Sequence, residues 1–274
     1  MRIDYDTRNV ILDTVIQDAW EPNIKAQWEE NKQQVTAGLL AELGPVEGER
    51  KLENYRAMGP APWSVVFGHT VLLRQIRSAF AHGDYFPALV GACALGERIL
   101  HQLVHALRGD YMNHVATTQR VRSGNLRSEW GTLITVLHGW GVFSDQTAEV
   151  FRRLEEDRHQ AIHFNADLEA SEPAPALMSL LALQEIVEQV FGYHGDPPRY
   201  IADTPGMSYI ALEAEQEPLI RRVFIPNCVL VSPAHYAEHD PSSSTGWVVY
   251  DDLDYACDPL TDAEFAARVR ERNG

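Results

Sequence analysis

The sequence predicts a mainly α-helical fold: an antiparallel helical bundle with an N-terminal helical extension and a small α+β C-terminal subdomain. Three observations carry this. Apolar residues recur at spacings of three and four through the middle of the chain; Gly/Pro-rich joints stand at Gly59-Pro60-Ala61-Pro62 and Gly195-Asp196-Pro197-Pro198; and beyond the second joint the texture changes to short β-branched and aromatic runs. The expected divisions are residues 1–60, 61–195 and 196–274.

The elements follow in order. Over 21–43, Ile24, Trp28, Val35 and Leu39 share one side of a helix and Glu29, Glu30 and Lys32 another, and Gly44-Pro45 stops it. Helices are expected at about 64–81, 85–107, 129–139, 145–163 and 175–193, separated by Gly83-Asp84, Gly109-Asp110, Gly124-Asn125 and Pro173-Ala174-Pro175. In the tail, Val223-Phe224-Ile225, Val229-Leu230-Val231 and Trp247-Val248-Val249-Tyr250 read as strands, with the polar loop 241–246 before the last. Thr261-Asp262-Ala263-Glu264 has the form of a capping box that opens a final helix.

The chain has 274 residues, 45% hydrophobic and 23% charged, which excludes wholesale disorder. No apolar run approaches the ~20 residues of a membrane span, and the start lacks the apolar segment of a secretory signal. Cys93, Cys228 and Cys257 are an odd number without a disulfide pattern, so a cytoplasmic location is expected. A formal charge of −16 argues against broad binding to duplex nucleic acid and leaves room for a locally basic site. Arg120, Arg122 and Arg127 lie in a stretch without Asp or Glu and are candidates for such a site.

Two charges interrupt apolar stripes. Arg158 stands among Val150, Phe151, Leu154, Ala161 and Ile162; Glu97 stands among Phe86, Leu89, Val90, Cys93, Leu100, Val104 and Leu107. An unpaired buried charge costs several kcal/mol, so Glu97 and Arg158 are expected to meet, either as a structural pair or as part of a site. The run Arg158-His159-Gln160-Ala161-Ile162-His163 adds two imidazoles at i, i+4 beside that arginine. Imidazole exchanges protons near neutral pH and guanidinium forks onto phosphate oxygens, which are the requirements of phosphodiester cleavage.

In this run the chain resembles the HEPN superfamily, marked by an Arg, usually a polar residue after it, and a His five to seven positions beyond the Arg on a bundle helix. Arg158, His159 and His163 match, and 133–137, Gly141-Val142-Phe143-Ser144 and the run into Arg158 resemble the family's approach to its motif helix. The resemblance spans roughly residues 64–193. It implies a metal-independent endoribonuclease working as a homodimer, without a cofactor, cleaving single-stranded RNA to 2′,3′-cyclic phosphate and 5′-hydroxyl ends in a defence or stress role. It further implies His163 as general acid or base, Arg158 as the charge stabiliser, and His159 and Glu97 as orienting groups, with a regulatory protein as a further partner. Arg152, beside the motif, joins Arg120, Arg122 and Arg127 as an expected RNA contact. Many members are instead noncatalytic modules for dimerisation, nucleotide binding or protein interaction. Asn165 stands two positions after the motif His, where one toxin branch has a modified Tyr, so that regulation is not implied.

Two metal arrangements are also legible. Glu97, His101 and His105 stack at i, i+4, i+8, and Cys228, His235, His239 and Cys257 have the residue types of a tetrahedral zinc site, though no recognised zinc spacing. The first reads equally as a polar helix edge, and the second as ordinary cysteines with surface histidines. Asp251, Asp252 and Asp254 lack the Gly and terminal Glu of a calcium loop.

Overall fold

Amphipathic segments of the predicted lengths condense into helices in the computed structural model, which describes residues 6–124, 129–162, 172–193, 199–204, 208–239, 247–251 and 260–273. In chain order the helices are α1 (Arg8–Asp13), α2 (Pro22–Leu43), α3 (Gly48–Ala57), α4 (Phe67–His82), α5 (Tyr85–Leu107), α6 (Gln119–Arg122), α7 (Trp130–Gly139), α8 (Asp145–Ile162), α9 (Pro173–Phe191) and α10 (Asp262–Asn273). The described part of the chain is mainly helical, with one antiparallel hairpin of β1 (Tyr236–His239) and β2 (Trp247–Tyr250).

Helix α5 is the centre of the bundle. Its buried residues include Ala88, Ala92, Cys93, Gly96, Ile99, Leu100, Leu103, Val104 and Leu107, and α4, α7, α8 and α9 all pack against it. Close approach to α7 and α8 depends on Gly96: a Cβ there would stand 2.6 Å from Leu154 Cδ2 and 3.2 Å from the ring of Trp130. Helix α9 has the length and hydropathy of a membrane span. It serves as a core helix, with Leu180, Leu183, Ile186 and Val187 fully buried.

One hydrophobic core runs from Leu12 through the bundle to Phe224. Leu39, Leu43, Leu52, Tyr55 and Met58 of the first sixty residues belong to it, so the Gly59-Pro60 joint lies within the span of one core. Arg77 reinforces that junction. Its guanidinium, buried at 6% exposure, donates to the carbonyls of Met58 and Gly59 and to the Gln184 side chain, while Gln184 Nε2 donates to Met58 O at 2.8 Å. A second, small core of Ile201, Tyr209, Ala266 and Val269 holds α10.

The tail differs from the strand-rich texture expected of it. Val223-Phe224-Ile225 is helical, not extended: Ile220–Phe224 forms a π-helical turn, and Ile220, Val223 and Phe224 occupy positions i, i+3, i+4, which bury them together. A 3-10 turn, Ile225–Asn227, follows directly with Pro226 in its first positions. Val229-Leu230-Val231 is not a strand either, with Val229 and Leu230 exposed. At 220–224 β-propensity gave way to burial on the bundle, where Ile220, Val223 and Phe224 join the main core. The capping box is present: Thr261 Oγ1 accepts from Glu264 N at 3.3 Å, and the Glu264 carboxylate accepts from Thr261 N at 2.8 Å.

Candidate functional site

Helices α5, α7 and α8 bring three residues together. Arg158 Nε donates to Glu97 Oε2 at 3.2 Å, and the Arg158 guanidinium carbon stands 5.6 Å from the centroid of the Trp130 ring. The two charges that interrupted apolar stripes therefore meet. They do so at the margin of the helix contact, not in its interior, because their side chains are 33% and 38% exposed. Arg158 thus combines a carboxylate anchor with an aromatic face, two restraints that hold a long side chain in one orientation.

The rest of the guanidinium matters for chemistry. Arginine has five N–H donors, and among the described residues only Nε is bonded, which leaves the terminal nitrogens able to fork onto an anion. His101, one turn from Glu97 on α5, places Nε2 at 3.9 Å from Glu97 Oε1, so the carboxylate has a basic group on each side. Trp130 itself is 3% exposed, and its indole nitrogen has no hydrogen-bond partner among the described residues.

The acidic run Glu155-Glu156-Asp157 is largely turned to internal use. Glu155 Oε1 accepts from the Gly131 amide at 3.0 Å, meeting an otherwise unpaired N–H in the first turn of α7 where negative charge is favoured by the helix dipole. Asp157 Oδ2 accepts from Ser179 Oγ of α9 at 2.7 Å, and burial nevertheless pushes its carboxyl above the ordinary range. Cys93, close by on α5, has its thiol pushed up to about 12 by burial, so it is not a nucleophile at neutral pH. Trp130, Glu155 and Asp157 were not picked out as members of this site in the sequence. The i, i+4 pattern of α8 places Arg158 but says nothing of which residue on α7 or α9 it faces.

His159 is on the exposed face of α8, and His163 and Arg127 lie outside the described residues. Arg152 is exposed and paired with Glu149 at 3.5 Å, a bond within its own helix. Arg120 and Arg122 are exposed on α6, where Arg122 Nε donates to Met112 O at 3.1 Å.

The Glu97-His101-His105 row extends along α5, and among the described residues no group of three or more metal-ligating side chains comes together. Of the tail set, Cys228 is exposed, and the His239 side chain is not among those described. His235 is buried with Nδ1 2.7 Å from Ser232 O and Nε2 3.2 Å from Tyr209 Oη, which commits its ring to the small core. Cys257 lies outside the described residues, as do Asp252 and Asp254. No family model, curated protein or solved structure matches this chain.

Proposed function

We propose that this protein is a metal-independent endoribonuclease of the HEPN type, cytoplasmic and acting as a homodimer on single-stranded RNA. The observation that supports this reading best is the state of Arg158: fixed through Nε by Glu97, laid against Trp130, and presenting at the surface terminal nitrogens to which no described residue bonds. That is a preorganised phosphate fork, and preorganised charge is the largest contribution to stabilising a transition state that gathers negative charge.

In the reaction, the 2′-hydroxyl oxygen attacks the adjacent phosphorus, its proton passing to a base. The bond to the 5′-oxygen breaks, that oxygen takes a proton, and a 2′,3′-cyclic phosphate remains. His163 is assigned the proton transfers from its place five residues after Arg158, and Arg158 the charge on the phosphorane. Glu97 positions Arg158, and His159 orients the pair. Arg120, Arg122, Arg127 and Arg152 are the proposed contacts to the RNA backbone. A regulatory protein partner fits a nuclease whose activity must be contained.

The test is incubation of purified protein with mixed single-stranded RNA in EDTA, reading fragment lengths and end groups. Cleavage with cyclic-phosphate ends, lost in Arg158→Ala and in His163→Ala while both variants stay folded, supports the assignment. Folded variants that cut as well as the parent overturn it. A second reading, a noncatalytic module, draws on the overall charge of −16 and on an Arg158–Glu97 pair that would serve an interface equally well. It predicts no cleavage and a dimer weakened by Arg158→Ala.

A further inference from the structure

Beyond the Glu97–Arg158 site, the carboxyl-terminal end of α5 forms the wall of an open cleft of about 410 Å³ lined by His105, Arg108, Asp110, Met112, Arg122 and Arg222, among others. Three guanidinium groups facing one cleft are unusual in a chain of net charge −16. Their donors are only partly used. Arg122 spends Nε and one terminal nitrogen on the carbonyls of Met112 and His114, Arg222 spends Nε and one terminal nitrogen on Asp110, and Arg108 makes no side-chain hydrogen bond or ion pair among the described residues. Every one of the three keeps at least one nitrogen to which no described residue bonds.

The carboxylate in the lining does not cancel them. Asp110 Oδ1 and Oδ2 are held by Arg221 and Arg222 at 2.5 and 2.9 Å, and the side chain is 12% exposed, so its charge is already answered. Arg108 reaches across the chain at Gly124. Gly124 has φ of 76°, and a Cβ there would stand 2.5 Å from Arg108 Nη1, so the guanidinium lies across bare backbone. The volume falls in the range of small-ligand sites, and Met112 offers an apolar surface beside the charges.

We propose that this cleft is an anion site for the phosphoryl group of a nucleotide-sized ligand, with Arg108, Arg122 and Arg222 as its donors. Guanidinium favours phosphate through paired, charge-assisted hydrogen bonds, and two or three around one group are needed to compete with water at a partly open site. The phosphate can belong to a free nucleotide or to the end of an RNA strand. Along α5 the cleft lies about 16 Å from Glu97, from eleven residues at ~1.5 Å each, so a ligand here does not occupy the proposed cleavage site.

The test is calorimetric titration of the full-length protein with ADP, with inorganic pyrophosphate, and with an RNA trinucleotide carrying either a 5′-phosphate or a 5′-hydroxyl. Saturable binding is expected, at least tenfold weaker in Arg108→Ala, largely restored in Arg108→Lys, weakened by added salt and, for ADP and pyrophosphate, unchanged in Arg158→Ala. Circular dichroism checks that Arg108→Ala is folded; Arg222→Ala, which leaves Asp110 its bond to Arg221, gives an independent variant with the same expected loss. Binding of ADP identifies a free nucleotide as a source, and binding of the 5′-phosphorylated trinucleotide alone identifies an RNA end. Absence of saturable binding for all four probes, or equal binding by parent, Arg108→Ala and Arg222→Ala, overturns the proposal. Either result leaves the RNA-cleavage reading standing, because that reading fails only on the Arg158 and His163 variants.

Discussion

Arg158 is attached to its surroundings at one nitrogen and one ring, and the two attachments separate positioning from stability. An ion pair with a third of each side chain in solvent contributes about 0–1 kcal/mol, so Glu97→Gln should leave the melting temperature within a few degrees of the parent. If Glu97 positions the guanidinium for phosphate, the same substitution should lower RNA cleavage about tenfold or more, read as initial rates beside Arg158→Ala. A loss of stability without a loss of cleavage would make the pair purely structural. His69 gives a pH prediction of a different kind. Burial against Phe191, with ring centroids 4.6 Å apart, lowers its pKa to about 4 from the ordinary 6.5. The folded state therefore takes up the proton less readily than the unfolded chain. Stability is fully present above the unfolded value and is lost as pH falls from about 6.5 toward about 4, by up to roughly 3 kcal/mol. Melting curves across this window should flatten in His69→Phe, provided that the variant folds.

At the scale of elements, Gly96 sets the distance between α5 and its neighbours. A methyl group there meets the fully buried Leu154 and the edge of Trp130, and overpacking of this sort costs about 1–3 kcal/mol. Gly96→Ala should lower the melting temperature and, by shifting Trp130, reduce whatever activity depends on Arg158. The capping box of α10 makes a smaller claim: Thr261→Ala removes both of its hydroxyl contacts to Glu264 and should cost about 1 kcal/mol, seen as faster amide exchange across 262–273. Elements also show what could be foreseen. Helices α2, α4, α5, α7, α8 and α9 were legible within a few residues because each carries ten or more residues of regular apolar spacing, and all but α8 have a Gly or Pro stop close by. Helices α1, α3 and α6 were not singled out. They are short or, like Gly48–Ala57, mostly polar, and they are helical through tertiary contact more than through pattern. The Glu97–Arg158 contact was foreseeable because two misplaced charges need one another. Trp130 was not, since an aromatic at the start of α7 looks like any core residue until the neighbouring helix is in place.

For the whole molecule, the N-terminal sixty residues share a core with the bundle. Leu39, Leu52, Tyr55 and Met58 are buried, and Arg77 with Gln184 bonds the backbone at Met58. Removing the segment would uncover this apolar face and leave Arg77 without its carbonyl acceptors. A chain beginning at residue 61 should therefore be insoluble or strongly destabilised, whereas an independent appendage could be removed with the melting temperature unchanged. Arg77→Ala tests the same seam more gently. Gly59 O keeps its bond from Asn9 Nδ2, but the buried Gln184 Oε1 loses its donor, which should cost about 1–3 kcal/mol by denaturant titration.

Helix α9 is apolar enough for a bilayer, yet α4, α5 and α8, which enclose it, all precede it in the chain. During synthesis at about 5–20 residues per second, each of those helices has left the ribosome before α9 emerges. A segment apolar enough for a bilayer thus emerges with its shelter already made, and a circular permutant that presents α9 first should be the form that aggregates or is drawn to membranes.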